Sequence, residues 1–438
     1  MNMNISKNDT FRVLAENVKI NNNTWVTGIN NNDLIIGPSG SGKTRGYVIP
    51  NIICSEESLI VADTKGNLQH KLGPDLKEKG YKIISLDFKN LKNNEYGYNP
   101  LSFIRFDIDT DSYNEQDIYS VAEAMFPALI KQDPFWDEAS KMYLVCIISY
   151  VMNFLPYDEH TMDSVMYLSN IIGSPEFKNI MNEIVNVHPT CLTSRIYKII
   201  NDGSIADRTT ACIKLTLSTR LSIFNNSLLL KICNNPNQIN FKKLSQEKTI
   251  LFLNISDVDR SKDLLINLLY TQAFQELCDE ADSNFPDFRL NIPVRFILDD
   301  FATNTIIPHF DNIISVIRSR EIYVSIIIQS ISQLDGLYGT NSSRTIINNC
   351  DNLLYLGGQD VETAQYMSFK LNKPSSSILN LELNKAYLFT RGEKPKEVKK
   401  LKLNDGTYKE LFNLYRYNDT NLENICNESE DYTDERLK

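Results

Sequence analysis

Gly37-Pro38-Ser39-Gly40-Ser41-Gly42-Lys43-Thr44 decides how this chain is read. The stretch fits G-x-x-x-x-G-K-[ST] at every fixed position. The apolar run Leu34-Ile35-Ile36 leads into it, and Arg45 to Ile49 can begin a helix. Strand, glycine-rich loop and helix together make a phosphate cradle. Glycines let backbone N–H groups come close to phosphate oxygens, and the helix N-terminus adds partial positive charge. Lys43 is placed to reach the β- and γ-phosphates of ATP, and the Thr44 hydroxyl to reach Mg²⁺. All eight residues, Gly37 to Thr44, form the candidate cofactor-binding set, with ATP and Mg²⁺ as the cofactors.

Working outward, apolar strands alternate with helices. Ser58–Asp63 and Lys82–Asp87 read as buried strands, with a helix from Leu68 to Lys79 ending at Gly80. Continuous apolar strands separated by helices predict a mostly parallel sheet covered on both faces. The pattern then changes. Residues 112–235 carry helical segments and almost no strand signal: Asp117–Ala128, Phe135–Phe154, Thr161–Ile172, Pro175–Val185 and Arg208–Phe224. Strands resume at Thr249–Ile255, Val294–Asp300, Tyr323–Ile328, Leu353–Leu356 and Ala386–Thr390, with helices at Ser261–Ala281 and Ile307–Ser319. This predicts an α/β nucleotide domain in two segments, 31–105 and 240–415, with an all-α domain inserted at 106–239. Residues 1–30 form an N-terminal extension, an edge strand or hairpin with a β-like stretch at Thr24–Thr27. Residues 416–438 form an acidic, flexible tail.

The bulk numbers exclude some classes. The 438 residues are 42% hydrophobic and 23% charged, an ordinary globular composition with room for two or three domains. A net charge of −10 argues against a uniformly basic nucleic-acid surface, though it allows a local basic channel. The eight cysteines show no C-x-x-C spacing, which points to reduced thiols rather than structural zinc. The longest apolar stretch, Met142–Leu155, falls short of the roughly 20 residues that span a bilayer. The chain as given reads as soluble, so membrane attachment would come through a partner.

Phe296-Ile297-Leu298-Asp299-Asp300 is a second motif: a buried strand ending in two carboxylates. Asp299 is the candidate Mg²⁺ ligand beside Thr44, and Asp300 would orient the attacking water. Gln329 ends another apolar strand, where ligands sit in open α/β sheets, and is a candidate sensor of the γ-phosphate. Arg318 and Arg320 lie between Asp299 and Gln329. As residues alone they read more readily as a solvated helix end.

These motifs together resemble the coupling-protein ATPases of type IV secretion and conjugative DNA transfer (the TraG-like family). The likeness covers residues 33–391. It adds Val48-Ile49-Pro50-Asn51, Ala62–Asn67, Tyr98-Asn99-Pro100-Leu101 and Phe135-Trp136-Asp137 to the loop and acidic pair. Gln329-Ser330, Gln333-Leu334, Tyr338-Gly339, Leu356–Asp360 and Thr363-Ala364 complete it. Thr64, Asn67 and Asp300 depart from the family pattern, which has Pro, Glu and Glu there. The resemblance implies a RecA-like P-loop NTPase domain with an inserted all-α domain, working as a hexameric ring with ATP at subunit interfaces. An isolated chain would be compatible with a monomer. Arg318 becomes the catalytic arginine supplied in trans, alongside Lys43, Asp300 and Gln329. The implied partners are a relaxase or relaxosome with single-stranded DNA, the channel ATPases and membrane proteins, and a separate membrane-anchoring protein. The implied place is cytoplasmic, peripheral at the inner face of the membrane. Members commonly begin with transmembrane helices, and this chain reaches its phosphate loop after about 30 residues. Asp300, one methylene shorter than Glu, predicts slow hydrolysis. Two alternatives share the ATP site: a nucleotide-gated docking receptor with little hydrolysis, and an FtsK/HerA-like DNA pump outside secretion.

Overall fold

The computed structural model describes residues 10–126, 135–202, 207–256, 258–284, 286–301, 306–404 and 406–412. The expected acidic tail, the end of the helix expected to reach Ala128, and Ala302 lie outside these residues. The chain opens on an antiparallel hairpin, β1 (Phe11–Ala15) and β2 (Val18–Asn21). The hairpin thus precedes Thr24–Thr27, which is a helical turn and not the expected β stretch. Local capping decides the matter. The Asn23 side chain accepts from the backbone N–H groups of Trp25 and Val26, and Gly28 closes the turn in the left-handed region at φ 68°. Caps at both ends outweigh the β preference of Thr, Trp and Val.

The strands that follow are β3 (Asp33–Ile36), β4 (Ser58–Asp63), β5 (Lys82–Asp87), a short pair β6 (Phe106–Asp107) and β7 (Ser112–Tyr113), then β8 (Thr249–Asn254), β9 (Val294–Leu298), β10 (Ile322–Ile328), β11 (Asn352–Tyr355), β12 (Lys385–Thr390) and β13 (Lys396–Lys399). Nine form one sheet in the order β13-β12-β11-β3-β10-β9-β4-β8-β5. Every pairing from β11 to β5 is parallel, and β12 and β13 add antiparallel. β13 escaped the sequence reading because Lys396-Glu397-Val398-Lys399 is charged and mostly exposed, as suits a blunted sheet edge.

Strand alternation builds two cores. Leu34, Ile36, Phe296, Leu298, Val324 and Ile326 face one side, and Ile35, Ile297 and Ile327 the other. The first face is continuous with the helix Asp263–Ser283 and with the helices between β5 and β8. Those run Glu115–Met125, Phe135–Phe154, Met162–Asn170, Pro175–Val187, Leu192–Asp202, Asp207–Leu221 and Ser227–Cys233. Five match the sequence reading. Leu192–Asp202 and Ser227–Cys233 add to them within the same helical span. The second face packs the helix Ile49–Ile53, the helix Leu68–Glu78 and the N-terminal hairpin.

The Tyr98-Asn99-Pro100-Leu101 turn has a structural job. Tyr98 hydrogen-bonds Gln272 of the helix Asp263–Ser283, and Gln272 Nε2 donates to the Pro100 carbonyl at 2.8 Å. Asn99 caps Leu101 and donates to the His160 carbonyl at 2.9 Å. The turn therefore pins the helical segment to the sheet where the chain leaves it.

Candidate functional site

Sheet order fixes the site. β3 lies between β11 and β10, and β9 lies beside β10. The glycine-rich loop leaves the C-terminal end of β3, the acidic pair follows β9, and Gln329 follows β10. In the loop, Gly40 and Gly42 take φ values of 77° and 100°, which a side chain would strain. A Cβ on Gly37 would stand 2.5 Å from Ser41 Oγ and 2.9 Å from Leu356 Cβ, so packing demands glycine there. The helix after the loop begins as a π turn, Thr44–Val48, and becomes α-helical at Ile49–Ile53. Pro50 has no N–H to continue the wide register, which places the changeover.

Lys43 is buried and donates to the carbonyls of Gly37 at 2.7 Å and Pro38 at 3.2 Å. Its Nζ lies 4.0 Å from Asp300 Oδ1. Burial pushes its pKa down, the charges of Asp300 and Asp299 oppose that, and exposed Lys65 adds to it. Thr44 Oγ1 donates to Asp299 Oδ2 at 3.1 Å. Asp299 is pushed up to about 6, first by burial and then by Asp300, against the Thr44 hydrogen bond and Lys43. Asp300 stands in the left-handed region at φ 52°, and its backbone N–H donates to Asp299 Oδ1 at 3.1 Å. A strained, non-glycine backbone at an acidic pair is a mark of a functional position.

Two polar atoms here are buried without a hydrogen-bond partner among the described residues, Ser41 Oγ and Asp300 Oδ1. Among the described residues, no neighbour lies within 4 Å of a Cβ built on Gly40 or Gly42. An open loop of backbone donors, a lysine at its base and a hydroxyl–carboxylate pair of hard oxygen donors fit a magnesium–phosphate group.

Gln329 is exposed, with its N–H donating to Gln333 Oε1 at 3.3 Å. Arg318 is not brought to this site. It precedes the opposite end of β10, roughly 20 Å away along the strand. It is exposed and makes no ion pair among the described residues, whereas Arg320 is held by Asp282 through two bonds of 2.8 Å.

The remaining motif residues mostly support these. Asp63 accepts from the N–H groups of Lys65, Gly66 and Leu68, shaping the loop after β4. The Tyr338 ring stacks on Phe301, next to Asp300, with centroids 5.7 Å apart, and its hydroxyl accepts from Ile307 N–H at 3.0 Å. Asp360 caps the helix Val361–Leu371 and accepts from Ser332 Oγ at 2.8 Å. Sequence reasoning missed a buried ionic group beneath the loop, made by Arg12, Asp33, Glu57 and Arg295. The signal was present: Arg295 interrupts an otherwise apolar buried strand.

A glycine-rich loop on one inner strand, an acidic pair two strands away and a polar strand end between them define a P-loop NTPase of the RecA-like kind with an all-α segment inserted. The chain belongs to the type IV secretory system conjugative DNA transfer family, whose profile matches residues 3–374. It is 21% identical over 369 residues to the protein VirD4 of Rhizobium radiobacter, covering 81% of this chain and 50% of that one. The chain spans about half the length of the curated relatives it matches. In fold it is similar to the plasmid coupling protein TrwB in complex with the non-hydrolysable ATP analogue ADPNP, with TM-score 0.63, 16% identity and coverage of 85% and 86%. TrwB in complex with ADP and Mg²⁺ gives TM-score 0.62 at 16% identity, with coverage again 85% and 86%. Among the described residues no helix is long and apolar enough to cross a membrane.

Proposed function

We propose that this chain is an ATP-hydrolysing coupling protein that docks a relaxase–DNA or protein substrate and couples it to a type IV secretion channel in conjugative transfer. One observation carries the reading. Lys43, Thr44, Asp299 and Asp300 converge where three parallel strands end, with buried polar atoms unspent. Family membership and the fold shared with TrwB, itself seen with ADPNP and with ADP and Mg²⁺, support it.

The loop Gly37–Thr44 would hold the phosphates by its backbone donors. Thr44 and Asp299 would hold Mg²⁺, which neutralises phosphate charge when bound. Lys43 would meet the β- and γ-phosphates with its ammonium. Asp300 would orient water and accept its proton, and Gln329 would contact the γ-phosphate. Arg318, remote from its own loop, would complete a neighbour's site in a hexameric ring. Hydrolysis is slow in this reading, because Asp300 is short. We read 31–105 with 240–415 as the nucleotide domain, 106–239 as a substrate-facing helical domain, 1–30 as an extension and 416–438 as an acidic tail. The place of action is the cytoplasmic face of the membrane, reached through a membrane-anchoring partner.

The test is ATP hydrolysis with and without single-stranded DNA, alongside transfer in cells. Lys43→Ala is expected to abolish both. Wild-type rates of hydrolysis and transfer in that variant would end the proposal.

A further inference from the structure

Beneath the nucleotide loop, in the N-terminal half of the same strands, lies a second charged group. Arg12 of β1 is buried and donates to Asp33 through Nε at 2.7 Å and Nη2 at 3.2 Å. Its Nη1 also donates to Asn22 and Asn31, each at 2.7 Å. Asp33 begins β3, the strand that ends in the glycine-rich loop. Its Oδ2 accepts from the Tyr47 hydroxyl at 2.6 Å. Tyr47 stands one turn after Thr44, fully buried, and its oxygen is 2.8 Å from Ser325 Oγ of β10. Ser325 Oγ in turn accepts from Arg295 of β9 at 3.3 Å. Arg295 is clamped by Glu57 at 2.6 and 3.2 Å and donates to the Asn31 carbonyl at 2.8 Å.

Asp33 and Ser325 are register partners on adjacent strands. The hub therefore touches all three strands whose C-terminal ends carry the site, and the helix that carries Thr44. A second link runs in parallel. Asn51 of that helix accepts from Val13 N–H and donates to the Val13 carbonyl, both at 2.8 Å. Burial, first, and the Asp33 charge, second, push the Tyr47 phenol well up, so it stays a neutral donor.

We propose that Tyr47 and Arg12 are positioning residues for the nucleotide site: the N-terminal hairpin holds Asp33, Asp33 holds Tyr47, and this chain sets Thr44 against Asp299. The buried groups have fixed partners and directions, so they transmit position in a way that apolar packing does not. Thr44 and Asp299 come from segments about 250 residues apart, and their 3.1 Å approach depends on the axial placement of the helix over β9. A displacement of the hairpin would be felt at the metal-holding pair. The inference rests on the reading of Thr44 and Asp299 as magnesium ligands.

Tyr47→Phe removes one oxygen and leaves the ring in place. In ADP titrations of the full chain, it is expected to weaken Mg²⁺-dependent binding by about five-fold, the size of one hydrogen bond. ADP binding in chelator would stay at the wild-type value, while the melting temperature falls modestly because Asp33 and Ser325 lose a buried partner. Arg12→Lys, which cannot fork to Asp33, is expected to shift the same readout the same way. Equal Mg²⁺ dependence in wild type and Tyr47→Phe would overturn the proposal. So would an equal loss of ADP binding in chelator, which a merely structural role produces. Hydrogen exchange on the nucleotide-free protein separates this from the nucleotide reading. Faster exchange confined to Thr44–Val48 in Tyr47→Phe supports the device, even if wild type binds no ADP and the nucleotide reading falls. Unchanged exchange there overturns it.

Discussion

The two ends of β3, β9 and β10 hold two clusters of buried charge with opposite chemistry. At the N-terminal end, Arg12, Asp33, Glu57 and Arg295 pair with one another through short, mostly bidentate bonds. At the C-terminal end, Lys43 makes do with two loop carbonyls and a 4.0 Å approach to Asp300, while Asp300 Oδ1 and Ser41 Oγ have no hydrogen-bond partner among the described residues. The same strands thus carry a closed network and an open one. Burial is common to both, so burial of charge does not by itself mark a site. What marks it is unspent hydrogen-bonding capacity beside an open glycine-rich loop, since buried atoms of Asn254, Asp263, Tyr270, Asn352 and Tyr355 are also unpartnered among the described residues.

That contrast predicts different failures. Breaking the closed cluster should destabilise the fold. Arg295→Met strands Glu57 without its cation and is expected to cost about 3–5 kcal/mol, a large part of a domain's typical stability. Thermal melts check this, and adding Glu57→Gln should recover most of the loss. A melt unchanged by Arg295→Met would mean that the lower cluster is no more structural than the upper.

Breaking the open cluster should leave the fold intact and remove chemistry. Asp300→Asn keeps the shape and the tolerance for a left-handed backbone and removes only the charge. Turnover of ATP is expected to fall about 100-fold, equivalent to about 2.7 kcal/mol of barrier. The melting temperature and ADP affinity should stay near wild type. If the variant melts early instead, Asp300 belongs with the structural charges.

Asp299 gives the contrast a pH dependence. Its folded pKa is about 6 against an ordinary 3.8, with burial as the first cause. Below 3.8 both states hold the proton and there is no difference. Between 3.8 and 6 the folded state holds more proton, so stability falls as pH rises, and above about 6 the whole penalty is present. In chelator at pH 7.5, Asp299→Asn should therefore be more stable than wild type by on the order of 3 kcal/mol, shrinking toward pH 5. A constant gap across that range would show that Asp299 is not poised in this way.

Much of this was legible in the sequence. The glycine-rich loop and the acidic strand end announce themselves by residue type, and apolar runs mark parallel strands buried on both faces. Phe135–Phe154 was read as a helix because apolar residues recur along it at helical spacing, and it is helical throughout. The errors have physical sources. At Thr24–Thr27, β-favouring side chains were outweighed by the Asn23 cap. β13 is charged because it is an edge. The Arg12 hub joins residues far apart in sequence, so its only local trace is Arg295, a charge inside an apolar strand. The separation of Arg318 from its own loop followed only from strand direction and length.

Asp300→Glu is the smallest change and tests the open cluster most finely. The left-handed backbone at φ 52° suits Asp, whose short polar side chain bonds locally, better than Glu. The stability cost should be under about 1 kcal/mol. The added methylene carries the carboxylate toward Lys43, whose Nζ is already only 4.0 Å from Asp300 Oδ1. A direct Glu–Lys pair would occupy the cation that phosphate needs. That pair competes, but the longer carboxylate regains reach to the attacking water, so turnover is expected to rise by up to about five-fold. A ten-fold rise would mean that Asp300 acts as a brake, which favours a nucleotide-gated docking switch over a motor. The separation of the two clusters would survive either result, because neither outcome touches Arg12, Asp33 or Arg295.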